Sequence, residues 1–513
     1  MPDDKDEPTE SDIGLHEHKP ALQVICLGSG GGPSEENVTG LLVRSVASDW
    51  AKGSLLAVDA GSHLAPIVKI LERDFPNEIV KPEPTVLTAG PFAGLTFPNT
   101  SARANALHVL RNYISTYLIT HPHLDHLSGF AINTAAFHAT SRPKTVAALP
   151  STVDAIKQHI FNDVIWPNLT DEDGGVGFVT FQRLKEGGDL MIGEGEGRGY
   201  IEVSDGLGVK PFKVSHGVCT KSPPSHRHRG SVPNIYDSQP PYNGSGHGEP
   251  AANPARQTSL TGGTGQYSTP GTPARQTFYN STISSPHMSG LDHKPCVVDS
   301  TAYFVRDSAS NREVLIFGDV EPDSISMSPR THYVWQEAAR KIAHGLLTGI
   351  FIECSYDDSQ ADAVLFGHLN PRHLIEELQT LAALVVDAKA ARHFERAVKK
   401  RKRSGPNGLE GTKMAGDRKR SRSLAGRSGL SREPRRSTIR TSPSTAPPAH
   451  SSEPPLHGVK VVVIHIKDTM KDGPHVRDSI LAQLEQYEQL LQAEGRGLGC
   501  EFEISADGAS YWF

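Results

Sequence analysis

Cysteine is scarce and never paired: Cys26, Cys219, Cys296, Cys354 and Cys500 are scattered singly through 513 residues. No CxxC pair occurs, which excludes a disulfide framework and fits a reducing compartment. Long apolar runs are also missing. With no stretch of 18 apolar residues, a membrane-spanning helix is not expected. Aromatic residues make up 6% and hydrophobic residues 37%, both low for a chain that packs throughout. Gly (48) and Pro (37) fill the gap. Such a composition describes a folded core carrying segments that bury too little apolar surface to order themselves. The opening MPDDKDEPTESD is acidic and polar, unlike a secretory signal or an Arg-rich transit peptide, so the cytoplasm is the expected location.

Charge is unevenly distributed. Residues 396–440 hold 16 Lys/Arg against Glu410, Asp417 and Glu433, a local excess of +13 in a chain of net −6, so the remainder carries −19. An acidic remainder argues against a broad basic face, and no nucleic-acid partner is expected. The boundaries follow composition. Residues 1–20 read as a disordered acidic tail. Residues 221–295, rich in Ser, Pro and Gly and carrying PARQT twice, and the basic stretch 401–455 read as disordered inserts. Residues 21–220, 296–400 and 456–513 are then three pieces of one catalytic domain, since closing a long insert costs a core little.

Strands are expected at 21–28, 38–45, 54–61, 113–120, 301–307, 313–319, 347–355 and 460–467. A helix is expected over 329–345, where Val334, Ala338 and Ile342 recur four apart. A second starts at Asn370-Pro371, with Asn as N-cap and Pro at the first helical position, and a third spans about 476–494 and stops at Gly495. Antiparallel pairs come first and helices intervene between later strands, an α/β (α+β) chain with a layered αββα arrangement.

The strongest chemical signal is THPHLDHLSG at 120–129, where an apolar strand runs directly into His121-x-His123-x-Asp125-His126. Imidazoles and a carboxylate in that spacing suit divalent ions, Zn²⁺ above all, and two ions close together can share a hydroxide. Further ligands should also end strands, and His216 in KVSHG, Asp319 in LIFGD and His465 in VVVIH do so. Glu353, ending LTGIFIE, and His368, in FGHLNP, are not needed for coordination and could handle a proton instead. His16-Glu17-His18 and His226-Arg227-His228 follow no strand and are set aside.

The order HxHxDH…His…Asp…His resembles that of the metallo-β-lactamase superfamily, particularly its ribonuclease Z-like branch. Nearer still, the chain is similar to the fungal class II cyclic nucleotide phosphodiesterases. The shared words are LGSGGGP (27–33), THPHLDHLSG (120–129), HIFNDVIWPNL (159–169), KVSHG (213–217), LIFGDVEPD (315–323), FIECSY (351–356), LFGHLNPRHL (365–374) and VVIHIKD (462–468). They span the core and skip both inserts. Phe130, Ala131 and Thr134 depart from the family pattern, which bears on pocket shape rather than on the ligands.

The resemblance implies a four-layer αββα metallo-β-lactamase-like sandwich that opens 3′,5′-cyclic AMP to the 5′-monophosphate, with cyclic GMP left open as a second substrate. It implies two divalent ions. One is held by His121, His123 and His216, the other by Asp125, His126 and His465, and Asp319 bridges them. Asp125 would also orient the attacking water, and His368 with Glu353 would protonate the leaving oxygen. Asn162, Trp166, Pro167 and Asn168 could line the nucleoside pocket or simply shape a loop. Rival readings are a ribonuclease Z-like RNA 3′-processing endonuclease and a catalytically inactive scaffold. The expected partner is a small cyclic nucleotide, and a homodimer is left open. Arg401-Lys402-Arg403-Ser404, Arg418-Lys419-Arg420-Ser421 and Arg435-Arg436-Ser437-Thr438 offer a basophilic protein kinase three sites within 401–440. Lys399–Arg403 could equally serve nuclear import.

Overall fold

The computed structural model describes residues 19–75, 84–218, 297–403 and 453–513. All belong to one compact unit. The expected disorder of 1–20 and of the two inserts and the kinase sites fall almost wholly outside the described residues, whereas the import signal Lys399–Arg403 ends a long helix.

The first half of the chain runs β1 (Leu22–Gly31), β2 (Val38–Ser45), β3 (Leu55–Ala60), α1 (Leu64–Asp74), a small ribbon of β4 (Thr85–Val86) and β5 (Thr96–Phe97), α2 (Ala102–Asn112), β6 (Ile114–Leu118), α3 (Leu124–Asn133), β7 (Lys144–Ala148), α4 (Pro150–His159) and β8 (Val179–Arg183). The second half runs β9 (Ile201–Ser204), β10 (Leu207–Val218), β11 (Val297–Asp307), β12 (Glu313–Phe317), α5 (Thr331–Ala343), β13 (Leu347–Glu353), α6 (Pro371–Arg403), β14 (Lys460–Ile464), α7 (Val476–Ala493), β15 (Glu501–Ile504) and β16 (Ser510–Trp512). All eight strands and three helices read from the sequence are present. Asn370 caps α6, its Oδ1 accepting from His373 N at 3.3 Å, and the helix runs to Arg403, just past the boundary expected at 400.

Two seven-stranded sheets result, ordered β16-β1-β2-β3-β6-β7-β8 and β15-β14-β13-β12-β11-β10-β9. Each is half antiparallel and half parallel. In the first, β3, β6, β7 and β8 are parallel; in the second, β12, β13, β14 and β15 are. A strand buried on both faces is apolar at every position, and β1 shows the sorting. Leu22, Val24 and Cys26 join Tyr303, Phe351 and Val462 between the sheets. Ile25 and Leu27 face the other way, with Ile67, Val109 and Phe130 of α1, α2 and α3. Trp335 of α5, Leu378 of α6 and Leu484 of α7 cover the second sheet in the same manner. Three apolar interfaces separate four layers, the αββα sandwich expected from the sequence.

Val218 and Val297 are paired partners of neighbouring antiparallel strands. No helix among the described residues is long and apolar enough to cross a membrane.

Candidate metal centre

Parallel strands connected by helices release their polar residues at their carboxyl ends, where open α/β sheets collect ligands. Here both sheets do so toward one spot. After β6 the chain passes Thr120 and the buried His121, then begins α3 with His123 as its first flanking residue and Asp125 in its first turn, a position the helix dipole favours for an anion. β10 delivers His216, β12 leads to Asp319, β13 ends at Glu353 and β14 leads to His465.

Asp319 sits at the centre. Its Oδ1 lies 3.1 Å from His126 Nε2. Its Oδ2 lies 3.3 Å from His465 Nε2, 3.5 Å from His216 Nε2 and 3.6 Å from His121 Nε2. Asp125 Oδ2 stands 3.7 Å from His465 Nε2 and 3.9 Å from His126 Nε2. Ligand atoms of His121, His123, His216 and Asp319 fall within 4.8 Å of one another, as do those of Asp125, His126, Asp319 and His465. These are the two sets that the resemblance implies, with Asp319 common to both.

The hydrogen bonds behind the imidazoles set their tautomers. Thr39 Oγ1 donates to Gly30 O at 3.3 Å, so its contact of 2.7 Å with His465 Nδ1 has the ring as donor. Thr120 Oγ1 donates to Asp59 Oδ2 at 2.8 Å, and its 3.1 Å contact with His121 Nδ1 follows the same logic. His216 Nδ1 faces Gly367 O at 2.8 Å, and His126 Nδ1 faces Asp59 Oδ2 at 2.7 Å. Nδ1 thus carries a proton in all four rings, and Nε2 points inward. Supports of this kind fix the ring and raise its basicity toward a metal.

Those inward atoms have no protein partner. Nε2 of His121, His126 and His465 and Oδ1 of Asp319 are buried without a hydrogen bond. Buried polar atoms left unpaired cost about 1–3 kcal/mol each. Three imidazole nitrogens around one carboxylate oxygen fit a divalent cation, as does a donor set of imidazole and carboxylate without sulfur.

Electrostatics agree. Burial, reinforced by neighbouring rings, pushes His121 and His465 well below the usual histidine range and His123 down to about 4. Neutral imidazole is the ligating form. His126 differs: burial opposes its charge, but Asp319 and Asp59 outweigh it and raise the group well above the ordinary value. Burial also opposes ionisation of Asp319, yet His465, His126 and His121 around it hold the carboxyl well below the usual carboxylate range.

Two local shapes make this packing feasible. A side chain on Gly31 would begin 2.7 Å from Cδ2 and Nε2 of His465, so only glycine lets that ring lie across β1. His465 itself has φ 57°, a left-handed conformation costing roughly 1–3 kcal/mol that the surrounding structure enforces.

His368 and Glu353 stand beside the cluster. His368 Nδ1 is 3.0 Å from both Glu353 oxygens. The carboxylate also accepts from Val320 N at 2.7 Å and Ser355 Oγ at 2.6 Å, which locks it in place. Burial lowers the pKa of His368, but the Glu353 charge and hydrogen bond prevail and raise it. His216, Asp319, Glu353 and His368 also form a third close group of ligand types.

The residues read for the nucleoside pocket have local partners instead. Asn162 Oδ1 accepts from Val164 N and Ile165 N, and its Nδ2 donates to Gln158 O. Asn168 bonds Thr170 Oγ1 and Glu172 O. Trp166 Nε1 donates to Thr134 Oγ1 at 2.9 Å, tying this loop to the end of α3. Phe130 and Ala131, two of the three departures from the family pattern, lie in the core rather than at the ligands.

Sequence reasoning missed Asp59, which joins His126 to Thr120 N at 2.8 Å from beneath. Its signal was the one used for Asp319, a carboxylate ending an apolar strand. We expect Asp59→Asn to fold but to weaken metal affinity about 10–100-fold, the usual effect of losing such a support. Titration of the purified variant with zinc and manganese would show it, and an unchanged affinity would leave Asp59 a turn residue.

Known proteins are similar to this chain in sequence and fold. The sequence pattern of the family described as cAMP phosphodiesterases class-II matches residues 26–225 and 274–392. The 3′,5′-cyclic-nucleotide phosphodiesterase of Schizosaccharomyces pombe is 28% identical over 382 residues, covering 74% of this chain and 79% of that one. The 3′,5′-cyclic-nucleotide phosphodiesterase 1 of Saccharomyces cerevisiae is 25% identical over 399 residues, covering 72% of this chain and 85% of that one. The crystal structure of unliganded yeast PDE1 superposes with a TM-score of 0.58 at 20% identity, covering 96% of this chain and all of the other. With both ligand groups inside the matched fold and the family pattern spanning more than half of its length, the chain belongs to the class II cAMP phosphodiesterases.

Proposed function

We propose that the protein hydrolyses 3′,5′-cyclic AMP, and cyclic GMP by the same chemistry, to the 5′-monophosphate. The observation that carries this is the ring of unpaired, inward-facing acceptors around Asp319, with an oriented His–Glu pair at its edge. His121, His123 and His216 would hold one divalent ion and Asp125, His126 and His465 the other, with Asp319 shared. Zinc suits a set so rich in imidazole. Ions bound there would supply charge for the phosphoryl oxygens and acidify a water molecule.

The chain's own groups do the rest. Asp125, partly exposed at the mouth, accepts a hydrogen bond from the attacking water and so aims its oxygen at phosphorus. The bond from phosphorus to the 3′ oxygen breaks as the new one forms. His368 Nε2, which makes no hydrogen bond among the described residues, gives its proton to that departing oxygen. Glu353 holds the ring and steadies its charge. Asn162, Trp166 and Asn168 shape the neighbouring loop in this scheme, because their polar atoms are already paired. The 396–440 segment would serve regulation by a kinase in the cytoplasm or nucleus rather than chemistry.

Purified protein of measured metal content, assayed with cyclic AMP, cyclic GMP and a precursor tRNA, tests the proposal. Turnover of a cyclic nucleotide with two zinc ions per chain is expected. Cleavage of the tRNA alone would make the enzyme an endonuclease. No turnover with either, metals present, would leave a scaffold.

A further inference from the structure

The turn that carries His368 holds an aromatic residue in an unusual state. Phe366 has φ 54°, in the left-handed region, where bulky side chains are rare. Such strain persists only when neighbouring structure imposes it, and it gathers at functional sites. The neighbour here is the strand that bears His216. Gly367, at φ 83°, is pressed so closely to that strand that a side chain on it would begin 2.7 Å from Gly217 N. The carbonyl of Gly367 takes the His216 Nδ1 hydrogen bond at 2.8 Å. On the other side, His368 N donates back to Leu365 O at 3.1 Å. Phe366 is therefore clamped between two site histidines.

That clamp does not bury the ring. Phe366 is 70% exposed, while its neighbours Leu365 and Leu369 are 1% exposed. No aromatic ring packs on it among the described residues. A large aromatic side chain held in water at a left-handed backbone position, two residues from His368, has its placement imposed by the turn and not by packing of the ring. Two residues reach at most about 7 Å, the scale of a single nucleoside, whose base and 3′ oxygen lie on one sugar.

We propose that Phe366 is the platform on which the nucleobase of the cyclic nucleotide stacks. The inference rests on the cyclic-nucleotide reading above and adds the residue that holds the base. Stacking accepts any base, because every base has an apolar face. Phe366 therefore sets affinity for adenine and guanine alike and leaves the choice between them to other groups. The strained backbone pre-orients the ring, which lowers the ordering cost of binding.

The test uses the full-length holoenzyme. Phe366→Asn removes the ring but tolerates the left-handed backbone, and Phe366→Trp enlarges the ring. We expect Phe366→Asn to raise KM for cyclic AMP and cyclic GMP by roughly 5- to 100-fold, the effect of losing one stacked base, with kcat within about twofold. Phe366→Trp should match or undercut the wild-type KM. Ribose 3′,5′-cyclic phosphate without a base should be cleaved equally by all three proteins. An unchanged KM in Phe366→Asn, or an equal loss on the baseless substrate, overturns the platform. A wild-type enzyme inert toward every cyclic nucleotide overturns the proposed function itself, a result that the wild-type assay alone delivers.

Discussion

Asp319→Ala is expected to abolish hydrolysis and to lose bound metal, because its carboxylate faces both ligand groups at once. Oδ1 addresses His126 at 3.1 Å, while Oδ2 addresses His465, His216 and His121 at 3.3–3.6 Å. Its removal leaves each group one anion short. The charge stabilisation forfeited is several kcal/mol. At 1.36 kcal/mol per tenfold, that is a rate loss of at least about 10³–10⁴-fold. The residue is buried, so the variant could also lose stability, and His123→Ala separates the two effects. His123 is exposed and its imidazole rests on the site's own His121 and His216 rings, outside the apolar clusters, yet it closes the first ligand group. We expect His123→Ala to melt with the parent protein, to carry less metal and to be nearly inactive. Wild-type turnover with two ions per chain in either variant would remove these residues from the site.

How much of this was legible in the sequence depended on the physics of each element. Long apolar strands that end in a ligand announce themselves twice, by composition and by their final residue; β6, β12, β13 and β14 were read that way. β7, β8 and β15 went unread because polar residues break or flank their short apolar runs and no ligand type ends them, and β10 was read only at its end, through His216 in KVSHG. Helices α1, α2 and α4, of ten or eleven residues, also went unread; α2 and α4 carry short apolar faces among polar residues, whereas Ile67, Ile70 and Leu71 of α1 did offer a helical spacing. Reading antiparallel pairs first captured β1–β3 but not the parallel run from β3 to β8, whose crossovers are those missed helices.

The supports of the centre were harder to read than its ligands. A ligand type is visible at a strand end, whereas Thr39 and the Gly367 carbonyl reach their histidines from hundreds of residues or a whole sheet away. Nothing in a β-branched strand residue distinguishes a hydroxyl that fixes a tautomer from one that merely packs. The loop over 162–168 was open to two readings, a pocket wall or a shaped loop, and the polar atoms of Asn162 and Asn168 have partners within the loop.

His368→Ala is expected to keep both metals and lose roughly 10²–10⁴ in turnover, the usual scale for general acid catalysis. The case for a donor rather than a third ligand lies in the partners of Glu353. That carboxylate already accepts from Val320 N, Ser355 Oγ and the His368 ring, and from Leu369 N at a longer 3.4 Å. With its lone pairs so engaged, it has little left for an ion, and the group formed by His216, Asp319, Glu353 and His368 is short of a ligand. His368 Nδ1 is turned toward Glu353, so the nitrogen available to a substrate is Nε2. A donor is needed only when the leaving oxygen is basic. A phosphodiester that releases nitrophenolate needs no proton on departure, so wild-type and His368→Ala enzymes should cleave it at similar rates. If both substrates slow equally, His368 positions the reacting groups; if the variant arrives with metal missing, it is a ligand. Only a selective loss on the 3′-alkoxide substrate, with the metal content unchanged, makes it the acid.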